Sequence, residues 1–173
     1  MTELVPLSER HIPAVRELVR DPETLRYTRV PEPPPPDFAE EWIARYERGH
    51  EAGEREGFAI VEGDEFLGLA LAPAIDAEAR EAELGYVVAP SARGRGVASE
   101  ALRLLTDWAF GRGLERLELR ISVGNGASRK VAQRCGYELE GTLHAAYFKQ
   151  GRREDTEIWS RLAPGVGDGD FAG

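Results

Sequence analysis

The stretch that most constrains this chain is SARGRGVASEA (91 to 101), which sets two arginines and two glycines in four consecutive positions between an apolar strand, LGYVV (84 to 88), and an amphipathic helix. The helix shows its apolar face in Val97, Leu102, Leu105, Trp108 and Ala109 and stops at GRG (111 to 113). A helix start carries unpaired backbone N–H groups and the positive end of the helix dipole, so glycines there let an anion approach the main chain. Arg93 and Arg95 bring positive charge to the same corner. Any fold this chain adopts must therefore hold a strand, loop and helix in succession, with a bare glycine corner between them that an anion could reach.

That unit does not open the chain. ELVPL (3 to 7) predicts a strand, and Ile12, Val15, Leu18 and Val19 make a helical stripe ended by Asp21 and Pro22. A second short helix holds Leu25 and Tyr27 before VPEPPPP (30 to 36), a stiff extended connector. Asp37 is placed to cap a helix that runs through Trp42, Ile43 and Tyr46 to Gly53. GFAIV (57 to 61), FLGLALAPAI (66 to 75) and AELGYVV (82 to 88) form an antiparallel meander. Beyond the loop and its helix come the strand RLELRISV (116 to 123), a helix from Gly126 to Cys135, and two final strands, YELEGTLHAAYF (137 to 148) and EDTEIWSRL (154 to 162). This order predicts one α+β domain over residues 1 to 162, with a mostly antiparallel mixed sheet of about seven strands flanked by helices. One helical crossover makes the strands at 82 to 88 and 116 to 123 parallel neighbours. The tail, 163 to 173, has little to bury and is expected to be disordered.

Composition excludes several function classes. At 173 residues the chain suits a single domain, and no apolar run approaches the length a membrane span requires. MTELVPLSER has no basic region followed by an apolar stretch, so the expected location is the cytoplasm, with no membrane partner. The lone Cys135 has no disulfide partner within the chain and reads as a packed core residue. Residues 1 to 90 hold 20 acidic against 9 basic side chains, and residues 91 to 173 hold 11 against 13, within a net charge of −9. A basic footprint for nucleic acid is missing, whereas the acidic half suits a cationic partner or simply confers solubility. His11, His50 and His144 form no metal-ligand spacing, and no metal is expected.

Three kinds of anion loop compete for residues 91 to 101. A nucleoside triphosphate loop needs Gly-Lys-Ser/Thr, and no lysine is present. A dinucleotide fingerprint would put a third glycine where Ser99 stands, and would open the fold rather than follow four strands. A plain glycine turn with solvated arginines remains open for the loop in isolation. The wider pattern decides otherwise: Arg93-Gly94-Arg95-Gly96-Val97-Ala98 resembles the acyl-CoA loop of the GNAT superfamily of N-acetyltransferases. Asn125-Gly126-Ala127-Ser128, followed by Val131-Ala132 and Cys135-Gly136-Tyr137, resembles that superfamily's second cofactor segment. Asn125-x-x-Ser128 with the run 136 to 141 looks like the branch that includes ribosomal-protein N-terminal acetyltransferases.

The resemblance implies acetyl-CoA as co-substrate and no metal. Its pyrophosphate would sit on the backbone amides of Arg93, Gly94, Arg95, Gly96, Val97, Ala98 and Ser99, and its pantetheine arm would pair with Val87 and Val88 where the two parallel strands splay apart. Arg129, Lys130 and Arg134 are candidates for the outer phosphate, and Asn125 for the pantetheine or for capping its own helix. Transfer to an amine needs a base, for which Glu83 is the first choice, with Asp155 and Glu157 as alternatives; an ordinary strand acid is the competing reading of Glu83. Many GNAT members place a tyrosine four residues before the helix-ending glycine to protonate the leaving thiolate, but this chain has Ala132. Ser128 is the hydroxyl that resembles the branch's substitute. The implied acceptor is a primary amine, with a protein N-terminus suggested by the branch and a cationic metabolite or aminoglycoside suggested by the acidic half. Trp42, Tyr147 and Phe148 are candidate acceptor walls, a non-catalytic acyl-CoA sensor is the alternative function, and a homodimer is the default by frequency.

Overall fold

The computed structural model describes residues 1–167. It contains β1 (Glu3–Pro6), α1 (Ile12–Leu18), α2 (Pro22–Tyr27), α3 (Phe38–Ala52), β2 (Glu56–Glu62), β3 (Glu65–Asp76), β4 (Glu81–Val88), α4 (Val97–Gly111), β5 (Arg116–Ser122), α5 (Gly126–Arg134), β6 (Glu138–Lys149) and β7 (Arg152–Leu162). The seven strands form one sheet in the order β1-β2-β3-β4-β5-β7-β6. Every pairing is antiparallel except β4 with β5, as the single crossover through α4 requires.

Local chemistry sets the helix ends. Asp21 caps α2 by accepting from the Thr24 N–H at 2.9 Å, and Pro22 occupies the first helical position, where a missing N–H costs nothing. Asp37 begins α3, although its carboxylate makes no cap bond, and Gly53 closes that helix in a left-handed conformation with φ 72°. The part of the predicted tail within the described residues folds back: the Ala163 N–H donates to the Glu115 carbonyl at 2.8 Å. Residues 168 to 173 lie outside the described residues.

The sheet separates two apolar clusters. Under α4 and α5 lie Leu84, Leu102, Leu105, Leu117, Leu119 and Trp159, with Tyr86 and Val88 packed against them. On the opposite face, α1 and α3 bring Val15, Leu18, Ile43 and Tyr46 onto Ala59, Leu69 and Leu71, with Val87 at the margin. Strand alternation thus sends Val87 to the α1/α3 side and Leu84, Tyr86 and Val88 to the α4/α5 side.

The parallel pair is incomplete. Register between β4 and β5 runs from Glu81↔Arg116 to Leu84↔Leu119 and stops there, while Gly85 to Val88 pair only with Leu71 to Gly68 of β3. Beyond Leu119, β5 continues against β7. The strands therefore diverge from Leu84 onward, opening a wedge whose wide end lies toward the start of α4. On the other side β3 presses close to β4, since a Cβ added at Gly68 would stand 2.1 Å from the Val87 carbonyl oxygen. Only glycine allows that approach, and its φ of +150° reinforces the requirement.

Candidate active site

At the wide end of the wedge, Ala89 leads through a short 3-10 turn, Pro90–Ala92, into the glycine loop. Gly94 and Gly96 both take left-handed conformations, with φ 74° and 78°. Gly96 is the N-cap of α4 and supplies no side chain, so the first-turn N–H groups have no side-chain cap. A Cβ at either glycine would meet nothing within 4 Å, which means the loop's outer surface is open. Val97 and Ser99 are buried behind it and Ala98 is half-buried. This corner presents backbone donors, a helix dipole and free space together, which is what a pyrophosphate requires.

The two arginines are committed elsewhere. Arg93 pairs with Asp21, the α2 cap, and with Glu23 at 2.8 Å. Burial works to raise the Asp21 carboxyl's pKa, but hydrogen bonds from Arg93 and Thr24 outweigh it and hold it below the usual carboxylate range. Arg95 bridges Glu62 at 3.2 Å and Glu65 at 3.0 Å in the β2–β3 turn. They pin the loop from both sides, so its attraction for an anion rests on the main chain. On α5, Arg129 donates to the buried Glu157 at 2.9 Å, whereas Lys130 and Arg134 are exposed.

Glu83 lies in the paired stretch of β4, two residues before the strands part, and shares the α1/α3 face with Val87. It is half-buried beside Glu118, its rung partner on β5, with the Arg120 Nε 3.9 Å from its carboxylate. Burial pushes its carboxyl above the ordinary range; Glu118 pushes the same way, while Arg120 and Arg29 oppose. Arg120 also bonds Glu118 at 3.1 Å, and Arg116 links Glu118 to Glu140 at 3.2 and 2.6 Å, so the charged row continues across the sheet. The alternative bases are engaged: Asp155 accepts from the Ala145 N–H at 2.8 Å, and Glu157 accepts from Arg129 and from the Trp159 indole at 2.9 Å.

The opposite face brings hydroxyls. Asn125 caps α5, accepting from the Ser128 N–H at 3.2 Å. Ser128 Oγ lies 2.7 Å from the Tyr86 hydroxyl, which also reaches the Ser128 carbonyl at 3.3 Å. Ala132, one turn further along α5, is fully buried. Tyr137 is core, its hydroxyl 2.8 Å from the Thr106 hydroxyl, and the Cys135 thiol donates to the Ser99 carbonyl. Sequence reasoning missed the Tyr86–Ser128 contact and the pairing of Glu83 with Glu118 and Arg120. Alternation on β4 already set Tyr86 toward the helical crossover, but the β4–β5 register was needed to bring Arg120 to Glu83.

The acceptor-side residues are partly scattered. Trp42 stacks between Phe38 and Tyr46 along α3, while the Tyr147 hydroxyl donates to the Thr28 carbonyl at 2.8 Å. Phe148 is exposed beneath Arg153. Between α2 and the β6–β7 hairpin, a cavity of about 240 Å³ is lined by Leu25, Arg26, Tyr147, Lys149 and Glu154. Among the described residues, no cluster of His, Cys, Asp and Glu is arranged to hold a metal, and no helix is long and apolar enough to cross a membrane.

Comparison with known proteins shows the family to which the chain belongs. The family described as "Acetyltransferase (GNAT) domain" matches residues 2–138. The ribosomal-protein-serine acetyltransferase of Escherichia coli K12 is 32% identical over 114 residues, covering 65% of this chain and 64% of that protein, a little under two thirds of its length. An uncharacterized N-acetyltransferase, p20, of Bacillus licheniformis is 30% identical over 145 residues, 82% of each chain. Among solved structures, the ribosomal L7/L12 alpha-N-protein acetyltransferase RimL in complex with coenzyme A superposes with a TM-score of 0.87 at 25% identity, covering 93% of both chains.

Proposed function

The chain belongs to the GNAT acetyltransferase family, and from that membership we propose that it transfers an acetyl group from acetyl-CoA directly to the primary amine of an acceptor in a ternary complex. One observation carries the reading: the wedge between β4 and β5 has the uncapped glycine corner at its wide end and Glu83 near its apex. An extended cofactor arm fits the wedge, because backbone groups of β4 that lack a β5 partner there can pair with its amides. Gly94 to Ser99 supply the phosphate end.

The wedge is also where the two faces of the sheet communicate. Glu83 approaches from the α1/α3 face and takes the proton of the attacking amine. The amine lone pair forms the C–N bond, and the C–S pair leaves with sulfur on the α4/α5 face, where the Ser128 hydroxyl donates to the developing thiolate. Base and leaving-group partner thus stand on opposite sides of the reacting carbon, and neither obstructs the other.

A peptide N-terminus is the acceptor the surroundings favour. Around the site Arg26 pairs with Glu154, Arg120 with Glu118 and Arg129 with Glu157. Glu154, Glu118 and Glu157 are thereby neutralised, which leaves Glu32 as the cavity-lining carboxylate with no ion pair among the described residues, a single charge where a polycation would need several. Two related proteins whose names specify ribosomal-protein acetylation point the same way. The test is thiol release from acetyl-CoA against peptide N-termini, amino acids, polyamines and aminoglycosides. Turnover with peptides is expected; turnover with polyamines or aminoglycosides alone would overturn the acceptor class. Silence across the panel, with acetyl-CoA still bound by calorimetry, would point to an acceptor outside the panel or to a non-catalytic sensor.

A further inference from the structure

We infer that Tyr86 is a positioning residue for the leaving group, holding the Ser128 hydroxyl so that the serine proton is free to point at sulfur. This rests on the role proposed above for Ser128. A serine hydroxyl has one proton and two acceptor lone pairs. If Ser128 spent its proton on Tyr86, none would remain for the thiolate; if Tyr86 donates to Ser128, the serine proton stays available. Tyr86 has two acceptors in reach, Ser128 Oγ at 2.7 Å and the Ser128 carbonyl at 3.3 Å, and the hydroxyl is the better placed. Burial pushes the Tyr86 phenol up to about 12, so it retains its proton and its donor role at neutral pH.

The geometry supplies what α5 lacks. Ala132 puts a methyl group one turn beyond Ser128, so the helix carries no second hydroxyl on that side. Tyr86 delivers one from β4 instead, from the strand segment that has parted from β5. A donor to Ser128 Oγ makes the serine a stronger donor in turn, because hydrogen bonds in a chain polarise one another. The protons on Tyr86 and Ser128 stay on their oxygens throughout; the C–S electron pair goes to sulfur and the amine proton to Glu83.

A double-mutant cycle tests the inference. Tyr86→Phe removes only the hydroxyl and keeps the ring in its packing. Its kcat should fall about tenfold, the scale of one lost hydrogen bond at a reacting centre, with coenzyme A affinity by calorimetry and KM for acetyl-CoA unchanged. Ser128→Ala should fall further, and Tyr86→Phe added to it should cost nothing more. Losses that multiply would show the two hydroxyls acting independently and overturn the inference. An unchanged Tyr86→Phe beside a slowed Ser128→Ala would overturn it too, leaving the serine's role standing; an unchanged Ser128→Ala would instead sink that role. Should Tyr86→Phe fail to fold, 3-fluorotyrosine at position 86 keeps the ring and strengthens the donor. It should then raise kcat only in the presence of Ser128, and an unaltered rate would overturn the inference.

Discussion

A half-buried carboxylate forfeits hydration, and Glu83 recovers part of it from Arg120 at 3.9 Å. Because burial outweighs that help, its folded pKa lies above the ordinary value of 4.5, and the basic form appears only as pH rises through the raised value. The acid limb of the pH–rate profile should therefore lie above pH 4.5, and Arg120→Gln should move it higher by removing a charge that favours the carboxylate. Glu83→Gln should lower kcat by about 10²–10⁴-fold with coenzyme A binding intact, as measured by stopped-flow and calorimetry. The same shift has a stability sign. A raised folded pKa favours folding below the unfolded pKa, and that contribution is lost as pH rises through the folded pKa, so Glu83→Gln should raise Tm at pH 7 and raise it less at pH 4. Glu83, Asn125 and Ser128 were singled out in the sequence through their resemblance to GNAT segments. Arg120, Glu118 and Tyr86 were not, because each acquires its meaning from a partner across the sheet or on another element.

Two glycines show how an element can demand the same residue for different reasons. At Gly96 the space is open and the left-handed φ of 78° makes the demand. Gly96→Val should lose about 1–2 kcal/mol of stability to backbone strain and weaken coenzyme A binding at least about tenfold by placing a side chain over the amides. At Gly68 the close approach of the Val87 carbonyl adds a direct clash. Gly68→Ala should cost about 1–3 kcal/mol by urea denaturation and, because β4 must shift, also weaken coenzyme A. The glycine pair itself was visible in the sequence, read there as bare backbone open to an anion; the left-handed turn at Gly96 emerges only in the folded chain. The requirement at Gly68 was not visible: that residue reads as one more small residue in an apolar strand, and the irregular register of β3 appears only when the strands are paired. The order of the elements and the parallel pairing did follow from alternation and the one long crossover, whereas the early end of that pairing at Leu84 left no mark in composition or periodicity.

Across the whole molecule, Arg93 ties the glycine loop to α2, the element that borders the cavity beside Tyr147. Arg93→Gln should raise KM for acetyl-CoA and for the acceptor together, about two- to fivefold, at a stability cost of up to about 1 kcal/mol. Arg95→Gln, whose pairs with Glu62 and Glu65 are more exposed, should leave acceptor KM unchanged in the same steady-state assay. The parting of β4 from β5 has a further consequence, as a gauge of length. From Leu84 to Val88 the free margin of β4 spans four residue steps, about 13 Å at 3.3 Å each. With one end of a ligand held at the glycine corner, that margin sets how far its other end reaches toward Glu83. On the proposed reading, a donor with a shorter arm would stop short of Glu83 and a longer one would carry its acyl group past it, so the margin would act as a gauge of the co-substrate before any chemistry begins.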